Sequence, residues 1–174
     1  MALAFRNLDE ITRQYMATEI TNDLAGGTLY FSSRLNPSGV AGWGALLAEA
    51  ARVNNDDWLA VELVRLNLLN TTEVRHYSSG KSSSAKVPSN AHEVMGEGEF
   101  NRFYMRGMCL RAIAGGDRPV VYRARDSRFP RPESERLIGQ TLDPTSLLAA
   151  LRASPDTNGA LPNPNSGISI YLTV

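Results

Sequence analysis

The side chains best suited to nucleophilic or metal chemistry are few in this sequence: His76, His92 and the single cysteine, Cys109. His92 is followed by Glu93, as at the start of a zinc-protease helix, but the second histidine four residues later is absent. Cys109 lies in an apolar run, where a thiol stays protonated and unreactive. A small hydrolase or nuclease built on His76 or His92 is therefore only the third hypothesis, and no catalytic, metal or cofactor residue is assigned.

A phosphate-binding loop is the next chemistry to consider, because Gly80-Lys81-Ser82 matches the end of the P-loop motif. The full motif needs a glycine five positions before Gly80, and Arg75 stands there. Residues 78–90 are small and polar, and they end in a proline followed by Ser-Asn. This composition predicts a flexible loop without a nucleotide cofactor.

Carboxylates come close together at Asp56-Asp57 and at Glu97 and Glu99. Pairs of carboxylates are what general acid–base catalysis uses. The first pair falls where a helix should begin, a position that favours negative charge for structural reasons. The second pair is expected in a solvated turn, so neither is assigned a catalytic role.

Arginine gives the strongest compositional signal. Residues 100–136 carry nine arginines against four acids, whereas residues 1–99 carry eight basic against twelve acidic residues. Aromatic residues among arginines suit nucleic acid, in which bases stack and phosphates pair. The balanced total, 18 basic and 18 acidic residues, favours internal pairing instead. A nucleic-acid-binding protein is the second hypothesis, with contacts from Arg102, Arg106, Arg123, Arg125, Arg128 and Arg131.

The C-terminal segment is the other unusual feature. Residues 154–167 are rich in Pro, Asn and Gly, and the segment after them alternates apolar and polar residues, which predicts a half-buried strand. Such a strand can pair with the protein's own sheet or with the sheet edge of a neighbouring subunit. For the second case, the partner-binding residues are Ile168, Ile170, Tyr171 and Leu172.

Periodicity and capping residues predict the other elements. The first half should contain a helix over 8–24 capped by Asn7, a strand over 28–31, a helix over 43–51, a helix over 56–69 and a strand over 71–77. The second half should contain a helix over 90–114, weakened at Gly96 and Gly98, a strand over 119–124 and short helices over 133–138 and after Asp143. Because the helix over 90–114 is apolar nearly all round, it should lie in the centre of the fold.

These elements predict an α+β fold: a helix-rich single domain with a small sheet of about four strands and a central buried helix. Residues 1–153 should form the globular domain, and 154–174 a tether and C-terminal strand. The length of 174 residues suits one domain, and one cysteine excludes a disulfide scaffold. No apolar run is long enough to cross a bilayer, and no signal peptide is visible, so no membrane contact is expected.

Residues 94–139 contain VMGEGEFNRFYMRGMCLRAI, then VVYRAR and PRPESERLIG. This stretch resembles small uncharacterised proteins of phages and prophage regions. The resemblance implies a virion or assembly role and carries no catalytic residue. The leading hypothesis is therefore a non-enzymatic structural or assembly protein of phage type that contacts other protein subunits in a homo- or hetero-oligomer. Its location would be the host cytoplasm or the virion.

Overall fold

The computed structural model describes residues 3–76, 78–126, 131–153, 161 and 166–173. The α+β fold class is confirmed. In the described part of the chain, six helices and four strands follow in the order α1 (Glu10–Gly26), α2 (Pro37–Val53), α3 (Asp56–Arg65), β1 (Thr72–His76), β2 (Ser82–Lys86), α4 (Ala91–Gly115), β3 (Val120–Arg123), α5 (Pro132–Glu135), α6 (Pro144–Ala153) and β4 (Ile168–Tyr171). The tether expected before β4 lies mostly outside the described residues.

Helix α4 is the centre of the fold, as its all-round apolar pattern predicts. It packs against α1, α2, α3, α6 and β4. The helix runs unbroken through Gly96 and Gly98, where it was expected to be weakened, and Gly96, like Gly107, serves close packing. A Cβ on Gly107 would lie 3.1 Å from the backbone nitrogen of Met16 in α1, and one on Gly96 would lie 3.0 Å from the backbone nitrogen of Ala60 in α3. Two helices can approach α4 this closely because these glycines have no side chain.

The helix starts follow from their caps. Asn36 accepts a hydrogen bond from the backbone of Gly39 at 2.8 Å, and α2 therefore begins at Pro37, six residues before the first apolar position of the predicted helix. Helix α1 is capped by Asp9, which accepts from the backbone of Thr12 at 3.0 Å, and not by Asn7 as predicted. Asn7 instead binds the C-terminal segment: its Oδ1 accepts from the backbone N–H of Leu172 at 3.0 Å.

The four strands form two separate antiparallel pairs. β1 pairs with β2, from Thr72 opposite Lys86 to His76 opposite Ser82. β3 pairs with β4, from Val120 opposite Tyr171 to Arg123 opposite Ile168.

Two predictions of strand and loop are wrong. Residues 28–31 form no strand and connect α1 to α2 irregularly, because the backbone carbonyl of Tyr30 accepts from the indole of Trp43 and Leu29 is buried in the core. Part of the predicted loop 78–90 is strand β2, since Ser82–Lys86 lies in register against β1. Serine-rich sequence has little strand preference of its own, and pairing overrides it here.

Strand β4 is buried on both faces. Ile168, Ile170 and Leu172 lie in the core, and Ser169 on the other face, predicted to be exposed, is fully buried too. Ser169 is satisfied by donating to Asn101 Oδ1 at 2.7 Å, while the Asn101 amide donates to the carbonyl of Ile168 at 2.9 Å. These bonds fix β4 to the side of α4.

No helix among the described residues is long and apolar enough to span a bilayer.

Because Ile170 is completely buried, Ile170→Ala should lower the free energy of unfolding by about 3 kcal/mol. The matched control is Thr173→Ala, at an exposed position just beyond the strand, which should change it by less than about 0.5 kcal/mol. Urea unfolding of both variants measures the difference. Equal stability of the two variants would show that β4 is not part of the core.

Candidate interaction surface

The arginines of α4 are buried in ion pairs. Arg106 donates to Glu19 Oε2 at 2.7 Å and makes a forked contact with both oxygens of Asp23 at 2.7 and 2.8 Å. Arg102 donates to Glu99 Oε2 at 2.5 Å. Both guanidinium groups lie beneath the surface, with Arg102 3% and Arg106 2% exposed. The carboxylates of this chain therefore occupy the groups that the nucleic-acid hypothesis assigned to phosphates.

The remaining arginines of that hypothesis do not form a free basic surface either. Arg123 pairs with Glu135, and Arg125 pairs with Glu97. Arg131 is exposed and makes no ion pair with the described residues. Arg128 lies outside the described residues. Nucleic-acid contact through these six arginines stays a prediction. The ion pairs made by four of them do not support it.

The candidate hydrolase residues are not assembled into one site. His76 ends β1 and its Nδ1 lies 2.8 Å from Ser82 Oγ, a nucleophile–base contact in form. Both side chains are exposed on a hairpin, and no described carboxylate contacts the His76 ring. His92 is in the first turn of α4, 4.0 Å from Glu93.

Cys109 and the glycine-lysine-serine segment have structural roles. Burial raises the pKa of the Cys109 thiol to about 12, so the thiol stays protonated. Gly80 takes a φ of +77° in the turn between β1 and β2, and Ser82 begins β2, so the segment closes a hairpin. Among the described residues there is no group of three side chains that could hold a metal ion.

Glu97 and Glu99, expected in a solvated turn, are in fact buried within α4, which corrects that prediction; Asp56, at the start of a helix as expected, is buried as well. Asp56 is 2%, Glu97 5% and Glu99 6% exposed. Asp56 Oδ2 accepts from the backbone N–H of Leu3 at 2.9 Å, and Glu97 binds Arg125. The other oxygens, Oδ1 of Asp56 and Oε1 of Glu97, are buried without a hydrogen-bond partner in the described structure. Through these two contacts, Asp56 and Glu97 fix the residues before α1 and after β3 to the junction of α3 and α4.

Burial raises the pKa of Glu97 to about 7; nearby Asp56 adds to this shift and Arg125 opposes it. Burial also raises the pKa of Asp56. The folded state therefore holds a proton on Glu97 that the unfolded chain releases near pH 4.5. The contribution of Glu97 to stability is therefore complete below about pH 4.5 and is lost as the pH rises through 7, because the folded protein then carries an unfavourable buried charge.

Glu97→Gln should remove most of this pH dependence. Between pH 5 and pH 8 the wild type should lose roughly 2–3 kcal/mol of unfolding free energy, and the variant clearly less, since only Asp56 of the pair still titrates. Denaturant unfolding at a series of pH values measures this loss of unfolding free energy in both proteins. Glu93→Gln, at an exposed position of the same helix, serves as the control and should behave as the wild type. An identical slope in wild type and Glu97→Gln would contradict the assignment.

The β1–β2 hairpin, Thr72–His76 and Ser82–Lys86 with the turn between them, stands apart from this core. Eight of its ten strand residues are exposed, and Val74 is 64% exposed. The ion pair from Arg34 to Glu73, at 2.7 Å, joins it to the body of the protein. An isolated two-stranded hairpin is only marginally stable in water, and a third strand or a packed helix is normally needed.

The hairpin also carries the only two lysines of the chain, Lys81 and Lys86. Neither makes an ion pair with the residues that the structure describes. This surface is not evident from local sequence preferences, because Ser82–Lys86 has no β-branched or aromatic residue. The concentration of both lysines in one segment, in a chain with sixteen arginines, was the signal available.

The residues of the C-terminal strand are not part of a free surface in this chain. Ile168, Ile170 and Leu172 are core residues, and Tyr171 packs edge-on against Tyr122, with ring centroids 5.5 Å apart. The strand pairs with β3 of the same chain, which is the first of the two alternatives above. Exchange of the strand between subunits stays a prediction.

Comparison of the chain with protein-family models, with curated proteins and with solved structures gives no significant match.

Proposed function

We propose that this chain is a non-enzymatic structural or assembly protein that acts through protein–protein contacts, and that the β1–β2 hairpin makes these contacts. The phage-type setting expected from the resemblance of residues 94–139 belongs to the same proposal, with the host cytoplasm or the virion as the location. The observation that carries it is the hairpin itself, an exposed two-stranded sheet outside the core.

Both strands of the hairpin are edge strands. Each has one row of backbone N–H and C=O groups that pair within the hairpin and a second row that faces outward. Such rows pair readily with a strand from another chain, which supplies the third strand that a stable sheet needs. A partner protein would therefore stabilise the hairpin as well as bind it.

A protein partner suits the hairpin better than nucleic acid does. Arg75 is already paired with Glu73, at 3.0 Å, so the unpaired cations of the described hairpin are Lys81 and Lys86. Two lysines give little of the multiple phosphate contact on which nucleic-acid affinity depends. Val74, the most exposed apolar side chain among the described residues of the hairpin, favours a protein surface.

The lysines allow a selective test. An amine-reactive cross-linker can reach only Lys81, Lys86 and the amino terminus of this chain, so every cross-link at a side chain reports on the hairpin. The chain should be co-expressed with the proteins encoded beside it and treated with such a reagent. We expect cross-links from the hairpin to a second protein chain. The variant Lys81→Arg/Lys86→Arg keeps the charge, should bind equally well, and should give none of these side-chain cross-links.

Shortening the hairpin tests whether it makes the contact. Replacing residues 74–84 by Asn-Gly joins Glu73 to Ala85, which face each other in the native register, through a two-residue turn. The melting temperature should change by less than about 3 °C, because none of the described side chains that are removed belongs to the core. Association of the shortened protein with a second protein chain, measured by light scattering, should be lost.

Association that survives the shortening would overturn the proposal, because the contact would then lie elsewhere on the protein. Binding of labelled DNA or RNA that needs the hairpin and weakens steeply with salt would also overturn it, in favour of nucleic acid. Removing residues 160–174 is not an equivalent test, since it deletes the core residues Leu161, Ile168, Ile170 and Leu172 and would unfold the protein.

A further inference from the structure

We infer that the outer edge of β1 pairs antiparallel with β1 of a second copy of this chain, about a two-fold axis at Val74, and that the two hairpins form one four-stranded sheet. This inference rests on the proposed function and names its partner.

The backbone shows which groups of β1 are available. The N–H of Val87 donates to the carbonyl of Thr71 at 3.0 Å, so the backbone groups of Thr71 point toward β2. The N–H of Asn70 donates to the carbonyl of Arg34 at 2.8 Å, in the opposite direction. Since successive residues of a strand alternate in direction, Glu73 and Arg75 use their backbone groups toward β2. The backbone groups of Thr72, Val74 and His76 therefore face the outer edge.

The side chains of β1 are complementary to a second copy of themselves. In antiparallel pairing centred on Val74, Glu73 lies opposite Arg75 of the other copy, and Arg75 lies opposite its Glu73. Opposite charges at directly facing positions stabilise a sheet, and like charges destabilise it. On the other face, the exposed Val74 would meet its own counterpart. The arrangement is isologous, as a two-fold dimer requires.

Other pairings of the same edge lack this match. Parallel pairing in register would set Glu73 against Glu73 and Arg75 against Arg75. Antiparallel pairing centred on Arg75 would set two arginines against each other. The charges of β1 therefore select one orientation and one register.

The outer edge of β2 is unsuited to self-pairing. The backbone groups that face this edge belong to Ser82, Ser84 and Lys86, and the described strand has no acidic residue. Two such edges offer no facing pair of opposite charges in any register, and lysine on an edge strand is a common protection against self-association. Only one of the two edges of the hairpin is therefore open to a second copy.

The geometry around Glu73 supports its role. Its Oε2 accepts from Arg34 at 2.7 Å and its Oε1 from Arg75 at 3.0 Å. These contacts hold the carboxylate in place, and a carboxylate has capacity for a further donor from a second chain. Glu73 is the only acid of the described hairpin, so no other carboxylate competes for the incoming arginine.

Complementary charge variants provide the test. Arg75→Glu creates a strand with two acids, and Glu73→Arg creates a strand with two arginines. Each variant alone should self-associate at least about tenfold more weakly than the wild type, because both facing pairs become like-charged. An equimolar mixture of the two should associate at least as well as the wild type, since every facing pair is then opposite in charge. Sedimentation equilibrium up to about 0.5 mM covers the affinity of such a small interface.

The control is Arg65→Glu, which alters an exposed ion pair with Glu62 on α3 and should leave association unchanged. A mixture that associates no better than its components would overturn the inference. A wild type that is monomeric over the whole concentration range would overturn it too. In that case, hairpin cross-links to a different protein would still support the proposed function, so the two failures are distinguishable.

Discussion

The fold depends on satisfying the charges of a helix that is buried all round. Helix α4 brings Arg102 and Arg106 into the interior, and a buried charge is tolerated only when it is paired. For Glu19, burial alone would raise the pKa, but Arg106 and Arg152 bring it below its ordinary value. Arg152 reaches Glu19 at 2.5 Å from α6. One carboxylate thus ties α1, α4 and α6 together.

This constraint determines which surfaces are left for function. The arginines of α4 neutralise internal carboxylates, so they are not available to phosphates. Strand β4 fills the other side of α4 and is held by Asn101, so its apolar residues are not available to a partner in the single chain. The β1–β2 hairpin makes no comparable contribution to the core. It is the element through which we propose that the protein contacts other chains.

Much of the fold follows from local sequence signals. The central position of α4 is visible in its apolar circumference, and α3 begins where Asn55 and two acids predict. The pairing of charges was not visible, because partners such as Arg106 and Glu19 are 87 residues apart in the chain. The same reason hid the burial of Glu97, whose partner Arg125 lies 28 residues further along the chain, just after β3. Strand β2 was missed because its stability comes from β1 and not from its own residues.

Hydrogen exchange of the hairpin amides tests most directly the claim that this protein works through its hairpin. The amides of Thr72, Val74 and His76 face outward, whereas those of Glu73 and Arg75 bond within the hairpin. With increasing protein concentration, or on addition of a partner, we predict that the outward amides become as slow as the inward ones. Outward amides that exchange at the rate of an unstructured peptide under all of these conditions would contradict the account.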